Sequence, residues 1–186
     1  MNWRTAIGGV LLAAAVLSGW SLLRDRNKPV PEAGDDASKD YVLHDFQIIA
    51  LDEQGKESTT LRAPLLERSR ADETMVIATP LFLLPDRDGN HWELRSEKGW
   101  VSAKGDQLKL TGNVSGDSPK VPSVPPTTFR TDHLDVFPNE NRASTDALVT
   151  LTRPGMTQSG VGFDLNSSDK TYHFRSQVKS RYTPRQ

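Results

Sequence analysis

Gln107-Leu108-Lys109-Leu110-Thr111-Gly112-Asn113-Val114 is the stretch whose reading settles the fold class. Leu108, Leu110, Gly112 and Val114 alternate with Gln107, Lys109, Thr111 and Asn113, a period of two. Successive side chains of an extended chain point to opposite faces, so this pattern is a strand with one face buried. Working outward, Tyr172, Phe174, Ser176 and Val178 alternate in the same way with His173, Arg175, Gln177 and Lys179. Val42 to Ala50 and Thr74 to Leu84 read as strands with apolar residues on both faces. Turn formers separate these runs: Asp52-Glu53-Gln54-Gly55, Asp88-Gly89-Asn90, Lys104-Gly105-Asp106, Pro138-Asn139-Glu140-Asn141, Arg153-Pro154-Gly155 and Asn166-Ser167-Ser168-Asp169. After Leu23 no apolar period of 3.6 residues is sustained, so the expectation is all-β.

A weak internal repeat runs through the same region. Ser96 to Val114 and Thr131 to Val149 have equal length and place Val101 and Val136 alike; Ala63 to Leu81 matches in length, and Ser159 to Val178 is one residue longer. Each unit reads as strand, turn, strand, and stacked units of this kind bury a continuous interior between neighbours. Ser118 to Pro126 is rich in proline, which cannot join a central ladder, and reads as a loop insertion.

The chain has 186 residues, no cysteine, and 23 basic against 24 acidic residues spread along its length. The length suits one anchor and one small domain. Without cysteine there is no disulfide, thiolate nucleophile or cysteine zinc site. The even spread of charge leaves no basic run to neutralise phosphates, so nucleic acid is not an expected partner.

From Ala6 to Leu23 the chain carries no charge. As a helix this run spans roughly 27 Å, close to the hydrocarbon thickness of a bilayer. Ile7, Leu11, Leu12, Val16, Leu17 and Leu23 supply its apolar surface, and Trp3 and Trp20 stand near its ends, where indoles favour the headgroup layer. The run is longer than the apolar part of a signal peptide and lacks a strong small-x-small cleavage site. Residues 1–26 are therefore expected to be a single membrane anchor. Residues 27–40, with Pro29, Pro31, Gly34, Asp35 and Asp36, read as a solvated linker, and 41–186 as the domain. Flanking charges by themselves favour the domain on the inner side, because Arg24, Arg26 and Lys28 outnumber Arg4.

No catalytic or metal-binding pattern emerges. His44, His91, His133 and His173 do not fall at ligand spacings, and alternation places Asp132 and His133 on opposite faces of a strand. Gly160-Val161-Gly162 lacks the third glycine and following helix of a dinucleotide site and reads as a bend between strands. No cofactor and no enzymatic activity are expected. What remains is a set of large apolar residues on strands: Phe82, Trp92, Leu94 and Trp100, then Leu110, Phe129, Val149 and Phe174. They form either an ordinary core or, if the sheet pair is open-sided, a trough for acyl chains. Exposed strands at its ends would be free to extend into a partner's sheet.

The order of several segments resembles one family. The anchor and linker lead to Trp92-Glu93-Leu94-Arg95-Ser96-Glu97-Lys98-Gly99 and Leu108-Lys109-Leu110-Thr111-Gly112-Asn113-Val114. Phe129-Arg130-Thr131-Asp132-His133-Leu134-Asp135-Val136 and Ser144-Thr145-Asp146-Ala147-Leu148-Val149 follow. Together they resemble the LptC family, bitopic components of the lipopolysaccharide transport bridge of Gram-negative bacteria. The resemblance implies a single antiparallel β-jellyroll, an open twisted sheet pair, on the periplasmic side of the cell inner membrane. It implies that the domain takes lipopolysaccharide from the ABC transporter LptB–LptF–LptG and passes it to LptA. It also implies contact with LptF through the first strand around Phe46 and Ile48, and with LptA through the last strand around Phe174 and Val178. Gly55 and Gly160 match glycines of the family pattern, and a turn requirement for φ > 0 equally explains them. The competing expectation is a membrane-tethered β scaffold that joins partners without holding lipid.

Overall fold

The computed structural model describes residues 39–183 except positions 53, 87, 123 and 170; the expected anchor and all but the last two residues of the expected linker lie outside them. Eleven strands follow in chain order: β1 (Lys39–Leu51), β2 (Glu57–Ser69), β3 (Met75–Ala78), β4 (Leu81–Pro85), β5 (His91–Arg95) and β6 (Lys98–Val101). Then come β7 (Leu108–Asp117), β8 (Thr128–Phe137), β9 (Arg142–Arg153), β10 (Met156–Asn166) and β11 (Thr171–Tyr182). β1 begins at Lys39, inside the stretch read as linker, because Lys39 pairs with Ser69 and its ammonium reaches Glu67 Oε1 at 2.6 Å. No helix among the described residues is long and apolar enough to cross a membrane.

Every strand pair is antiparallel, and all eleven strands belong to one sheet. The sheet is folded across its strands into two leaves. One edge of β2 pairs with β4 at Thr60–Arg62 and with β3 at Leu65–Arg68. One edge of β7 pairs with β6 at Leu108–Thr111 and with β5 at Ser115–Asp117. The first leaf thus runs through β4 and β5, the second through β3 and β6. The long strands β1, β2 and β7 to β11 give half their length to each.

Positive-φ residues mark where strands bend between leaves: Asp45 in β1, Gly112 and Asn113 in β7, Gly162 in β10 and Gln177 in β11. Such bulges insert an extra residue and kink the strand. The Gly160-Val161-Gly162 stretch, expected to be a bend between strands, is instead a bend within β10, because both its edges stay paired on either side of Gly162. The run Thr74 to Leu84, expected to be one strand, is two. Thr79 (φ 42) and the buried Pro80 interrupt it, since proline brings no N–H to a ladder. Thr79 N–H instead donates to Glu97 O at 2.8 Å.

The leaves face each other through their inward side chains. Phe82 of the first leaf shares a cluster with Leu110, Leu134 and Ala143 of the second. Ala63, Leu66 and Ile77 form a cluster toward β1, and Val149, Leu151 and Phe163 form one toward β11. Leu61 joins the first cluster to the second; Phe129 and Leu165 join the first to the third. The interior is therefore one continuous apolar seam. Ser118 to Pro126 lies in the β7–β8 connection, as expected, tied down by Thr127 N–H donating to Ser118 Oγ at 2.9 Å.

Candidate functional site

Residues opposite each other in antiparallel strands project to the same face, so the register defines rows of side chains running across the sheet. In the second leaf one inward row reads Leu43, Leu66, Ile77, Gly99, Leu110 and Leu134, and continues on the far strands as Thr145, Phe163 and Phe174. The next reads Met75, Val101, Leu108, Val136, Ala143, Leu165 and Tyr172. In the first leaf the inward row is Ile48, Leu61, Phe82, Leu94, Gly116, Phe129 and Leu151, ending in the polar pair Gln158 and Ser180. The second row ends at Met75, whose partner on β2 is the charged Arg68, and the third turns polar on β10 and β11. The first row meets no charged residue and only Thr145 as a polar one, and at about 4.8 Å per strand it runs roughly 38 Å from one edge strand to the other.

Most of the residues singled out from the sequence fall on these rows. Phe82, Leu110 and Val149 are core residues, the last two with 0% exposure. Leu94 and Phe129 pack against the same core, half-buried. Trp92 lies on the inward face opposite Leu84, toward the rim of the first leaf. Trp100 is a correction to the expected set. Its neighbour Gly99 faces Ile77 and Leu110, so Trp100 faces outward, where Lys109 Nζ stands 5.2 Å from the ring centroid. The break at Ser96 and Glu97 between β5 and β6 resets the parity between Leu94 and Trp100.

Phe174 closes the far end of the interior. Its ring is 5.3 Å from that of Phe163, which in turn is 5.3 Å from Phe129 and 5.6 Å from Tyr172. Gly160 is the floor under it: a Cβ there would stand 2.7 Å from Phe174 Cδ1. Gly160 thus serves close approach in mid-strand and not a positive-φ turn, one of the two readings its sequence position had left open. Gly55 does occupy the β1–β2 turn at φ 76, with its N–H donating to Asp52 O at 2.9 Å.

Two strands leave an edge without a partner strand among the described residues: β1, which pairs with β2, and β11, which pairs with β10. Both show apolar side chains to solvent on the inward face, Ile48 at 42% exposure, Val178 at 54% and Tyr182 at 75%. The outward side of β11 is electrostatically anchored. Arg175 Nη2 donates to Asp164 Oδ1 at 2.9 Å and Nε to Oδ2 at 2.7 Å, and Nη1 also meets Asp146. The guanidinium, bonded to the Asp164 carboxylate, holds its pKa below the usual carboxylate range. Of the four aromatics at this end, Phe163 is the one the sequence does not single out. Alternation of Phe163 with Leu165 carries the signal, but the bulge at Gly162 breaks its phase with Val161.

The sequence model of one protein family, described as "Lipopolysaccharide-assembly, LptC-related", matches residues 10–183. No curated protein matches the chain. Among solved structures the chain is similar to that of LptH, described as the LptA-homologous periplasmic component of the conserved lipopolysaccharide transport device from Pseudomonas aeruginosa. Identity there is 12% and the TM-score 0.38, over 77% of this chain and 94% of that one.

Proposed function

We infer that this chain, which belongs to the lipopolysaccharide-assembly, LptC-related family, is a passive lipid-transfer domain of the open jellyroll kind. It takes lipopolysaccharide at its β1 edge from LptB–LptF–LptG and hands it at its β11 edge to LptA. The single observation that carries this reading is the inward row from Leu43 on β1 to Phe174 on β11, which meets no charged residue between the two open edges. Acyl chains need an apolar path with no charged gap, and the edge strands offer backbone donors and acceptors for β-augmentation. Ile48 with Phe46 at β1, and Phe174 with Val178 at β11, would meet the partners' sheets, with Gly55 and Gly160 shaping those two margins. The uncharged run from Ala6 to Leu23 supports an inner-membrane anchor with the folded domain in the periplasm.

The interior is filled by its own side chains, so loading requires the leaves to part. The bends at Asp45, Gly112–Asn113, Gly162 and Gln177 are where the strands can yield. The ATPase subunit of the transporter supplies the energy, and the chain breaks no bond. Site-specific photo-crosslinkers test this reading. Those at Phe82, Leu110 and Phe174 are expected to capture lipopolysaccharide; those at the outward Lys109, Trp100 and Arg175 are not. Equal labelling on both faces would sink the trough.

The filled interior also favours a second reading, a tethered scaffold that joins partners and leaves lipid alone. Its signature is transporter subunits that copurify with the chain while no inward crosslinker captures lipid.

A further inference from the structure

The ladder between β8 and β9 parts in mid-strand. Arg130 pairs with Thr150 and Asp135 with Ser144, but no pair joins residues 131–134 to 145–149 between them. The neighbouring ladders lose far less at the same level, one bulge on each side. This is the widest gap in register within the sheet, and it lies on the line where the leaves fold together.

A buried hydroxyl stands in that gap. Thr131 is opposite Val114, itself 1% exposed, so its side chain lies on the inward face. The residue is 7% exposed, and its Oγ1 is the buried side-chain oxygen without a hydrogen-bond partner among the described residues. The other buried threonines show what is usual here. Thr60 Oγ1 donates to Glu57 Oε1 at 2.7 Å, Thr127 Oγ1 to Pro125 O at 3.1 Å, and Thr145 Oγ1 accepts from Ala147 N–H at 3.1 Å. A hydroxyl stripped of water and given nothing in return is strongly disfavoured, and buried polar groups of native proteins are almost always satisfied.

We propose that the β8–β9 gap is a water site, in which a buried water accepts from Thr131 Oγ1 and bonds the facing backbone of β9 between Thr145 and Val149. Buried waters sit where two to four polar groups converge; Thr131 Oγ1 is one such group, and the stretch of β9 between Thr145 and Val149 that has no β8 partner in the ladder offers others. The occupant is water and not a cation, since no cluster of His, Asp or Glu among the described residues is placed to hold a metal. The consequence is mechanical. Two strands bridged by water part more readily than two joined by a continuous ladder, so the gap is the compliant line of the sheet.

The test uses the full chain in detergent micelles and does not depend on any lipid. On the isotope-labelled wild type, a water cross-peak to the Thr131 methyl or amide that persists under exchange filtering is expected, and its absence overturns the proposal. Thr131→Val keeps the shape and removes the hydroxyl. It is expected to shift the unfolding equilibrium about five- to a hundredfold toward the unfolded state, because the water loses a partner. Thr131→Ser, which keeps the hydroxyl, is expected to retain the cross-peak. If Thr131→Val is as stable as the wild type or more so, the hydroxyl was dry and the site does not exist.

Discussion

Gly160 and Phe174 meet across β10 and β11, and the pair shows how one missing atom sets an edge. With no Cβ, Gly160 lets the Phe174 ring lie against the backbone and complete the aromatic end of the interior. Gly160→Ala is expected to cost about 1–3 kcal/mol by overpacking, read as a fall in the denaturant midpoint. Phe174→Ala in the same chain removes the clash, so the double variant should lose less than the sum of the two singles. Glycine and phenylalanine were both visible in the sequence; their contact was not, because it depends on a register fixed by the bulge at Gln177. On the opposite face Asp164 and Arg175 hold the same two strands together. The folded pKa of Asp164 is depressed, so its contribution is present above its unfolded value near 4 and is lost as pH falls through the lower folded value. The protection of β11 amides, measured relative to the intrinsic exchange rate at each pH, should therefore fall as pH drops below about 4, and Asp164→Asn should flatten that dependence.

At the scale of elements, β1, β7, β10 and β11 each bend at one positive-φ site. Gly112 and Asn113 turn β7 from one leaf into the other, and Asn113 Nδ2 donates to Glu97 Oε1 at 2.5 Å across the fork between β5 and β6. Asn tolerates φ > 0, whereas a β-branched side chain does not. Asn113→Val should cost about 1–3 kcal/mol in strain, with Asn113→Gly costing less, as chemical denaturation would measure. The period-two pattern through Leu108 to Val114 announced a strand but not its bend, since Asn113 and Gly112 keep the alternation while changing direction. The Thr79–Pro80 break was the plainer signal, because proline in a run read as a central strand argues against that reading.

For the molecule as a whole, the question is which face of each strand looks inward. Leu110 and Lys109 are neighbours in the chain and opposites in the fold. Leu110→Ala is expected to cost about 2–5 kcal/mol, as a cavity opens in the central cluster. Lys109→Ala, which loses only an exposed contact with Trp100, should cost about 0.5–1 kcal/mol. Comparable losses at both positions would show that the rows are misassigned. The same rows explain why both ends of the sheet expose apolar residues. Under the proposed transfer role an interior that continues into a partner's sheet need not be capped at its margin, and Ile48, Val178 and Tyr182 are exposed there.

The amino-acid sequence by itself determined the strand content, most turns and some of the inward residues, because alternation and turn chemistry are local properties of the chain. It could not determine that the sheet forks at β2 and β7, that Trp100 faces outward, or that β8 and β9 part around Thr131. Those features depend on which strands pair and in what register, and pairing is fixed by contacts between residues far apart in the chain. Only the tertiary structure ordered a list of apolar residues into rows across the sheet, one of them reaching both open edges.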